Sequence, residues 1–144
     1  MQTPPDSGYV RKASPIIVLF VDGDGDTRRA HAAGARAAGF GVELARDGEE
    51  ALAKVLLGLP HVVVTEARIA GVDGFELARW TTTTSRTRVI PVIMLTGLIH
   101  PDLTQKARAS GCAALLRKPC TFEALERTIR RTLREIPGDG ALTA

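Results

Sequence analysis

Aromatic side chains are scarce in this chain: 4% of 144 residues, with a single tryptophan and a single tyrosine. Any core must therefore be aliphatic, and 44% hydrophobic residues are enough to build one domain of this length. Long apolar runs are missing as well. None approaches the roughly 20 residues of a membrane span. The polar, proline-containing stretch from Met1 to Ser14 lacks the apolar segment of a secretory signal and is expected to be a flexible tail. Cysteine is nearly absent. Cys112 and Cys120 have no metal-ligand spacing and no nearby histidine pair, so they are expected to be free thiols in a reducing, cytoplasmic compartment. Charge of one sign is also modest, with a net +3 and much of the excess in Arg127, Arg130, Arg131 and Arg134. That segment reads as a solvated helix face with Glu–Arg pairing rather than a nucleic-acid surface.

What is present is an alternation of short apolar runs and amphipathic, alanine-rich stretches. Run one is Ile16 to Val21. The helix after it is expected from Asp26 as N-cap to Gly39 as the stop, with Ala30, Ala33, Ala37 and Phe40 on one face. Run two is Val42 to Ala45, and Asp47 caps a helix to about Leu57 with Ala51, Leu52 and Val55 inward. Run three is Val62 to Thr65. A helix begins near Asp73-Gly74, carries Phe75, Leu77 and Ala78, and ends in the β-branched stretch Thr81 to Ser85. Run four, Val89 to Leu95, contains Pro91, which lacks a backbone donor and belongs at the strand's start. Pro101 suits the first turn of a fourth helix and Gly111 its end. Run five is Ala113 to Leu116. Thr121 caps the last helix, with Phe122, Leu125, Ile129, Leu133 and Ile136 on its inner face and Glu123–Arg127 and Glu126–Arg130 as i,i+4 pairs. Pro137-Gly138 stops it, leaving a short tail over 137–144.

Strands alternating with helices imply a parallel sheet with helices on both faces. Right-handed crossovers put every strand's C-terminal end on one edge, which is where such folds bind ligands. Asp22, Glu66, Thr96 and Lys118 each follow or end an apolar run, so all four are expected at that edge. Each also has a plainer reading: Asp22 as a turn cap, Glu66 as a surface acid, Thr96 as a hydroxyl capping the next loop, Lys118 as a snorkelling lysine.

Acid, acid, hydroxyl and lysine at four strand ends resemble the receiver domain of bacterial response regulators. Three segments are similar to that family: Ala45 to Leu52, Arg86 to Thr96, and Lys118-Pro119 with the preceding Gly111. The resemblance covers about Pro15 to Ile136. It implies a flavodoxin-like (βα)5 doubly wound fold of five parallel strands, two helices on one face and three on the other, in one domain over 15–136. It also implies a cis Lys118–Pro119 bond.

The departures define what kind of member the resemblance implies. The family's third-strand acid is a phosphoryl-accepting aspartate, whereas Glu66 stands at that position. The acid pair after strand one reads Asp22-Gly23, with Gly23 where a direct magnesium ligand belongs and Asp24 one residue further on. Leu115 replaces the aromatic switch residue, and Ala70 the proline four past the acceptor. Glutamate carries its carboxylate about 1.3 Å further than aspartate, enough to misplace an in-line attack and to bring the charge toward Thr96 and Lys118. Magnesium, if held, would rest on Asp22, Asp24 and Glu66, a set weakened by Gly23; no other cofactor is implied.

The expected function is thus an atypical, phosphorylation-independent receiver in two-component or phosphorelay signalling. It would act without catalytic turnover, through a histidine kinase or effector partner. A homodimer through the helix-four to helix-five surface (Leu103, Lys106, Arg117, Glu126, Arg130) is an associated expectation. The rival reading takes Asp22-Gly23-Asp24 as the first motif of a haloacid-dehalogenase-like phosphatase, with Asp22 as nucleophile and Thr96 and Lys118 as later motifs. Thr27 is displaced for that family and no acidic pair follows Lys118. A calcium loop on Asp22, Asp24 and Asp26 fails because Thr27 and Ala33 stand where glycine and glutamate are needed.

Overall fold

The structure is a computed structural model that describes residues 14–135. The tails expected over most of 1–14 and over 137–144, Ile136, and the stop at Pro137-Gly138 lie outside the described residues. Among the described residues no helix is long and apolar enough to cross a membrane.

Five strands and five helices alternate: β1 (Ile17–Val21), α1 (Gly25–Ala37), β2 (Gly41–Ala45), α2 (Gly48–Gly58), β3 (Val62–Thr65), α3 (Gly74–Thr83), β4 (Val92–Thr96), α4 (Leu103–Ala109), β5 (Ala114–Arg117) and α5 (Phe122–Arg134). All strand pairs are parallel, in the order β2-β1-β3-β4-β5. The chain winds to one side from β1 to β2 and to the other from β3 onward. The switch point lies between β1 and β3, so their C-terminal ends flank the crevice.

Alternate strand residues feed two cores. Leu19, Val21, Val63 and Val92 pack with Val55 of α2 and Leu77 and Ala78 of α3. Val18, Phe20, Val62, Val64, Ile93 and Leu95 pack with Ala35 of α1 and Leu125 and Ile129 of α5. Helix α4 lies beside α3, with the Lys106 ammonium over the Phe75 ring. That gives three helices on one face and two on the other.

The caps follow the sequence at three helices. Asp47 accepts from the Glu50 N–H, Asp73 and Glu76 close a reciprocal capping box, and Thr121 accepts from the Ala124 N–H. Helix α1 departs from expectation. Its N-cap is Asp24, two residues earlier than Asp26, and Ala32 and Ala35 are buried while Ala30, Ala33 and Ala37 are exposed. Alanines lie on every side of this helix, so spacing alone could not select the inner face. Run four also begins later than its apolar residues: Val89 is 65% exposed and β4 starts just after Pro91, whose carbonyl accepts from the Val63 N–H at 3.0 Å. In α5 the Glu126–Arg130 pair forms at 2.9 Å. Glu123–Arg127 is not among the ion pairs of the described residues. The Lys118–Pro119 bond is cis.

Candidate functional site

Backbone hydrogen bonds one step beyond the strands fix the four expected residues on one edge. The Asp22 N–H donates to Ala45, Glu66 to Val21 and Lys118 to Thr96, at 3.1, 2.9 and 2.9 Å. Each residue is therefore registered to its neighbour by the sheet ladder rather than by a loose loop. The first turn of α3 presses against this edge. A Cβ at Gly74 would lie 2.3 Å from the Glu66 carbonyl oxygen, so only glycine permits the approach.

The side chains form one connected knot. The Lys118 ammonium donates to Asp22 Oδ2 at 2.8 Å and sits 2.9 Å from Glu66 Oε1. The Thr96 hydroxyl donates to Glu66 Oε2 in a short hydrogen bond, and the same oxygen accepts from the Ala67 N–H at 2.7 Å. Thr96 in turn accepts from the Leu98 N–H at 3.0 Å. The Gly97 N–H approaches Glu66 Oε1 at 3.4 Å. Asp22 Oδ1 accepts from the Asp24 N–H at 2.9 Å. The Asp22 and Glu66 side chains are only 9% and 12% exposed, and that of Lys118 25%.

The electrostatics follow from these contacts. Burial pushes the Glu66 carboxyl up. The Thr96 hydroxyl, the Lys118 ammonium and the Ala67 N–H outweigh it, leaving the pKa below the ordinary carboxylate value. Burial likewise opposes charge on Lys118, but hydrogen bonds and attraction from Asp22 and Glu66 raise it above the ordinary lysine value. Both groups are held in their charged forms. Beneath them the half-buried His31 stacks on Phe20, with ring centroids 5.6 Å apart. Burial lowers its pKa, Asp22 raises it, and burial prevails.

Asp24 takes a different part from its expected one. Its Oδ2 accepts from the Thr27 N–H and hydroxyl at 2.9 and 2.5 Å, which engages it as the cap of α1. A divalent cation would need converging carboxylates with no cation between them. Here the Lys118 ammonium stands between Asp22 and Glu66, Gly23 adds no side chain, and Asp24 is bound to the first turn of α1. The donor set does not fit magnesium in this arrangement. Among the described residues no three His, Cys, Asp or Glu side chains are grouped to hold a metal ion.

The knot floors an open cleft of about 650 Å³, which Gly23, Asp24, Arg68, Gly97, Leu98 and Ile99 also line. Sequence reasoning missed Arg68, Leu98, Ile99 and His31. The first three follow β3 and β4 within three residues, so their place at the active edge was available from the topology. His31 left no such trace, because its helix carried no readable inner face. The expected helix-four to helix-five surface is corrected in its membership. Leu103 is fully buried. Arg130 turns toward α1, lying over the Phe40 ring and donating to the Ala38 carbonyl. Glu126 pairs with Arg130, while Lys106, over the Phe75 ring of α3, and Arg117 are both exposed. Leu115 is half-buried and belongs to neither core cluster.

This edge, built on a five-stranded doubly wound sheet, is that of a signalling receiver. Residues 18–130 match the response regulator receiver domain family, and the chain belongs to it. Among curated relatives, response regulator MprA of Mycolicibacterium vanbaalenii is 31% identical over 128 residues, 88% of this chain. A gliding motility regulatory protein of Myxococcus xanthus is 36% identical over 106 residues, 74% of this chain. The chain spans 54% of the first relative's length and 14% of the second's. The chemotaxis response regulator CheY4 of Vibrio cholerae superposes with a TM-score of 0.77 at 31% identity, over 83% of this chain and 99% of that one. None of these matches supports the phosphatase reading of Asp22. In this structure Asp22 is held by Lys118 and by the Asp24 N–H.

Proposed function

We propose that the chain is an atypical receiver whose signalling conformation is set without phosphorylation, with Glu66 at the phosphoacceptor position of its family. One observation carries the reading. The Glu66 carboxylate occupies the polar hole that a phosphoryl group's oxygens would need, accepting from Thr96, Ala67 and Lys118. A phosphoryl-accepting site uses such donors to stabilise charge that develops on the transferred group. Here a permanent carboxylate already satisfies them. The charge that a metal ion would otherwise neutralise is met by Lys118, placed between two acids.

On this reading the domain acts through its surface on a signalling partner, a kinase or an effector, and has no catalytic turnover. Magnesium provides the test. Titration into ¹⁵N-labelled protein should leave the amides of Asp22, Asp24, Glu66 and Gly97 unshifted at millimolar concentration. Saturable shifts confined to these amides would show a working cation site and contradict the proposal.

A further inference from the structure

We propose that a second copy of this chain docks head to tail, with the Leu98-Ile99 loop of one molecule seated in an apolar pocket at the opposite pole of the next. The inference goes beyond the functional reading above and holds whatever the chemistry at Glu66. The pocket, of about 310 Å³, lies where β3 and β4 begin, and Leu59, His61, Arg86, Val89 and Leu133 line it. Its walls are fixed by hydrogen bonds. His61 Nδ1 accepts from the Ile17 N–H at 2.9 Å, and the Ile90 N–H donates to the Thr87 carbonyl at 2.9 Å. Leu59 ends α2 with a φ of 45°, a left-handed backbone that glycine adopts more readily. An aliphatic side chain is thereby kept exposed at the pocket, and Val89 is exposed there as well. The knob stands at the other end of β4. Ile99, 94% exposed, is on the rim of the cleft with Leu98. Strand β4 between them has five residues and spans roughly 16 Å, so the knob and pocket of one molecule cannot meet.

The charge at the two ends argues for the occupant. Arg86 lines the pocket, and Arg88 is exposed in the same loop. Asp102 is exposed three residues after Ile99, at the cap position of α4, yet its side chain accepts no cap hydrogen bond. Among the described residues neither arginine and not this carboxylate enters an ion pair. Asp24, exposed on the cleft rim, adds a second negative charge beside the knob. Seating Ile99 in the pocket brings two unpaired guanidinium groups toward carboxylates, which they favour in bidentate contact, and opposite charges of this kind fix register. A two-fold arrangement would instead set each patch against itself, arginine on arginine. The contact is therefore heterologous, and the molecule at each end of a row still presents a free knob or a free pocket. Nucleic acid fits the pocket less well, since none of its lining residues is a phenylalanine, tyrosine or tryptophan on which a base could stack.

The test is sedimentation velocity of the full chain at rising concentration, up to about 1 mM, the weak end of specific association. The expected result is salt-sensitive self-association of wild type that continues past a dimer. I99D loses the knob and keeps the pocket, whereas V89D loses the pocket and keeps the knob. Both side chains are exposed, so both variants should fold with unchanged far-ultraviolet spectra. Each alone should associate about tenfold more weakly than wild type or worse. Their equimolar mixture should regain the wild-type affinity and stop at a heterodimer. The milder R86Q/R88Q variant should also associate more weakly. A wild type that stays monomeric, or one that stops at a dimer, would overturn the proposal. So would association unchanged by I99D or by V89D, or a mixture that associates no better than its components. None of these outcomes depends on magnesium or on Glu66, so failure here is separable from failure of the functional reading.

Discussion

Lys118 holds two carboxylates that would otherwise face each other across the crevice, and this makes it the residue on which the site depends. Removing one member of a largely buried charge group leaves the rest uncompensated. With a quarter of the lysine side chain exposed, the loss is reduced by solvent screening. Lys118→Ala is expected to cost about 2–3 kcal/mol in urea unfolding. Glu66→Gln should cost less, about 1 kcal/mol, because its amide oxygen still accepts from Thr96 and Ala67 while Asp22 keeps Lys118 paired. The pH dependence follows from the two shifts. The folded-state pKa of Glu66 lies below its unfolded value, so the stability it contributes is present above about pH 4.5 and is lost as pH falls through the folded value. That of Lys118 lies above its unfolded value, so its contribution is present below about pH 10 and is lost as pH rises through the folded value. An acid limb below about pH 4.5 in wild type, weakened in Glu66→Gln, is the expected outcome, separate from the loss that the lowered His31 pKa brings below about pH 6.5. An acid limb unchanged by Glu66→Gln would refute the assignment.

At the scale of elements, α2 contains two glycines with opposite expectations. A Cβ at Gly48, the first residue of α2, would lie 1.9 Å from the Val72 carbonyl oxygen, a backbone atom that cannot step aside. Gly48→Ala should destabilise by about 3 kcal/mol, at the upper end of overpacking effects. Gly58, the last residue of that helix, has nothing within 4 Å of a built Cβ and an ordinary negative-φ backbone. Gly58→Ala should stabilise by about 0.5–1 kcal/mol through the entropy of the unfolded chain. Thermal melts of the two variants, moving in opposite directions, check both. Gly23 is of the permissive kind too, since only the Arg46 carbonyl, at 3.8 Å, would meet an added Cβ. A side chain can therefore be restored there without disturbing α1 or β1.

Over the whole molecule, legibility in the sequence followed chemical contrast. Apolar runs ending in Asp22, Glu66, Thr96 and Lys118 stand out from their surroundings. The parallel ladder carried them to one edge, as their places at the ends of the runs implied, so these four could be read before their geometry was known. Helix α1 could not be read this way. Alanine on every side hid its inner face, and two aspartates competed for the cap. Buried threonines hid for another reason. Thr87 and Thr128 satisfy their hydroxyls on backbone carbonyls of Thr81 and Ala124, so these two sit in the interior with their hydrogen bonds met, whereas the buried Thr81 hydroxyl has no partner among the described residues. The direction of long side chains was equally hidden. That Arg130 lies over Phe40 and Lys106 over Phe75 depends on which helices meet, and this depends on the tertiary fold.

The central claim is that Glu66, held by Thr96 and Lys118, replaces phosphoryl chemistry on an otherwise intact receiver scaffold. Intact mass after incubation with acetyl phosphate and magnesium tests it most directly, with wild type, Glu66→Asp, and Glu66→Asp combined with Gly23→Asp in parallel. The account predicts that wild type stays unmodified and the double variant gains one phosphoryl group, since the open space at Gly23 accepts the second acid. A phosphoryl group on wild type itself would contradict it.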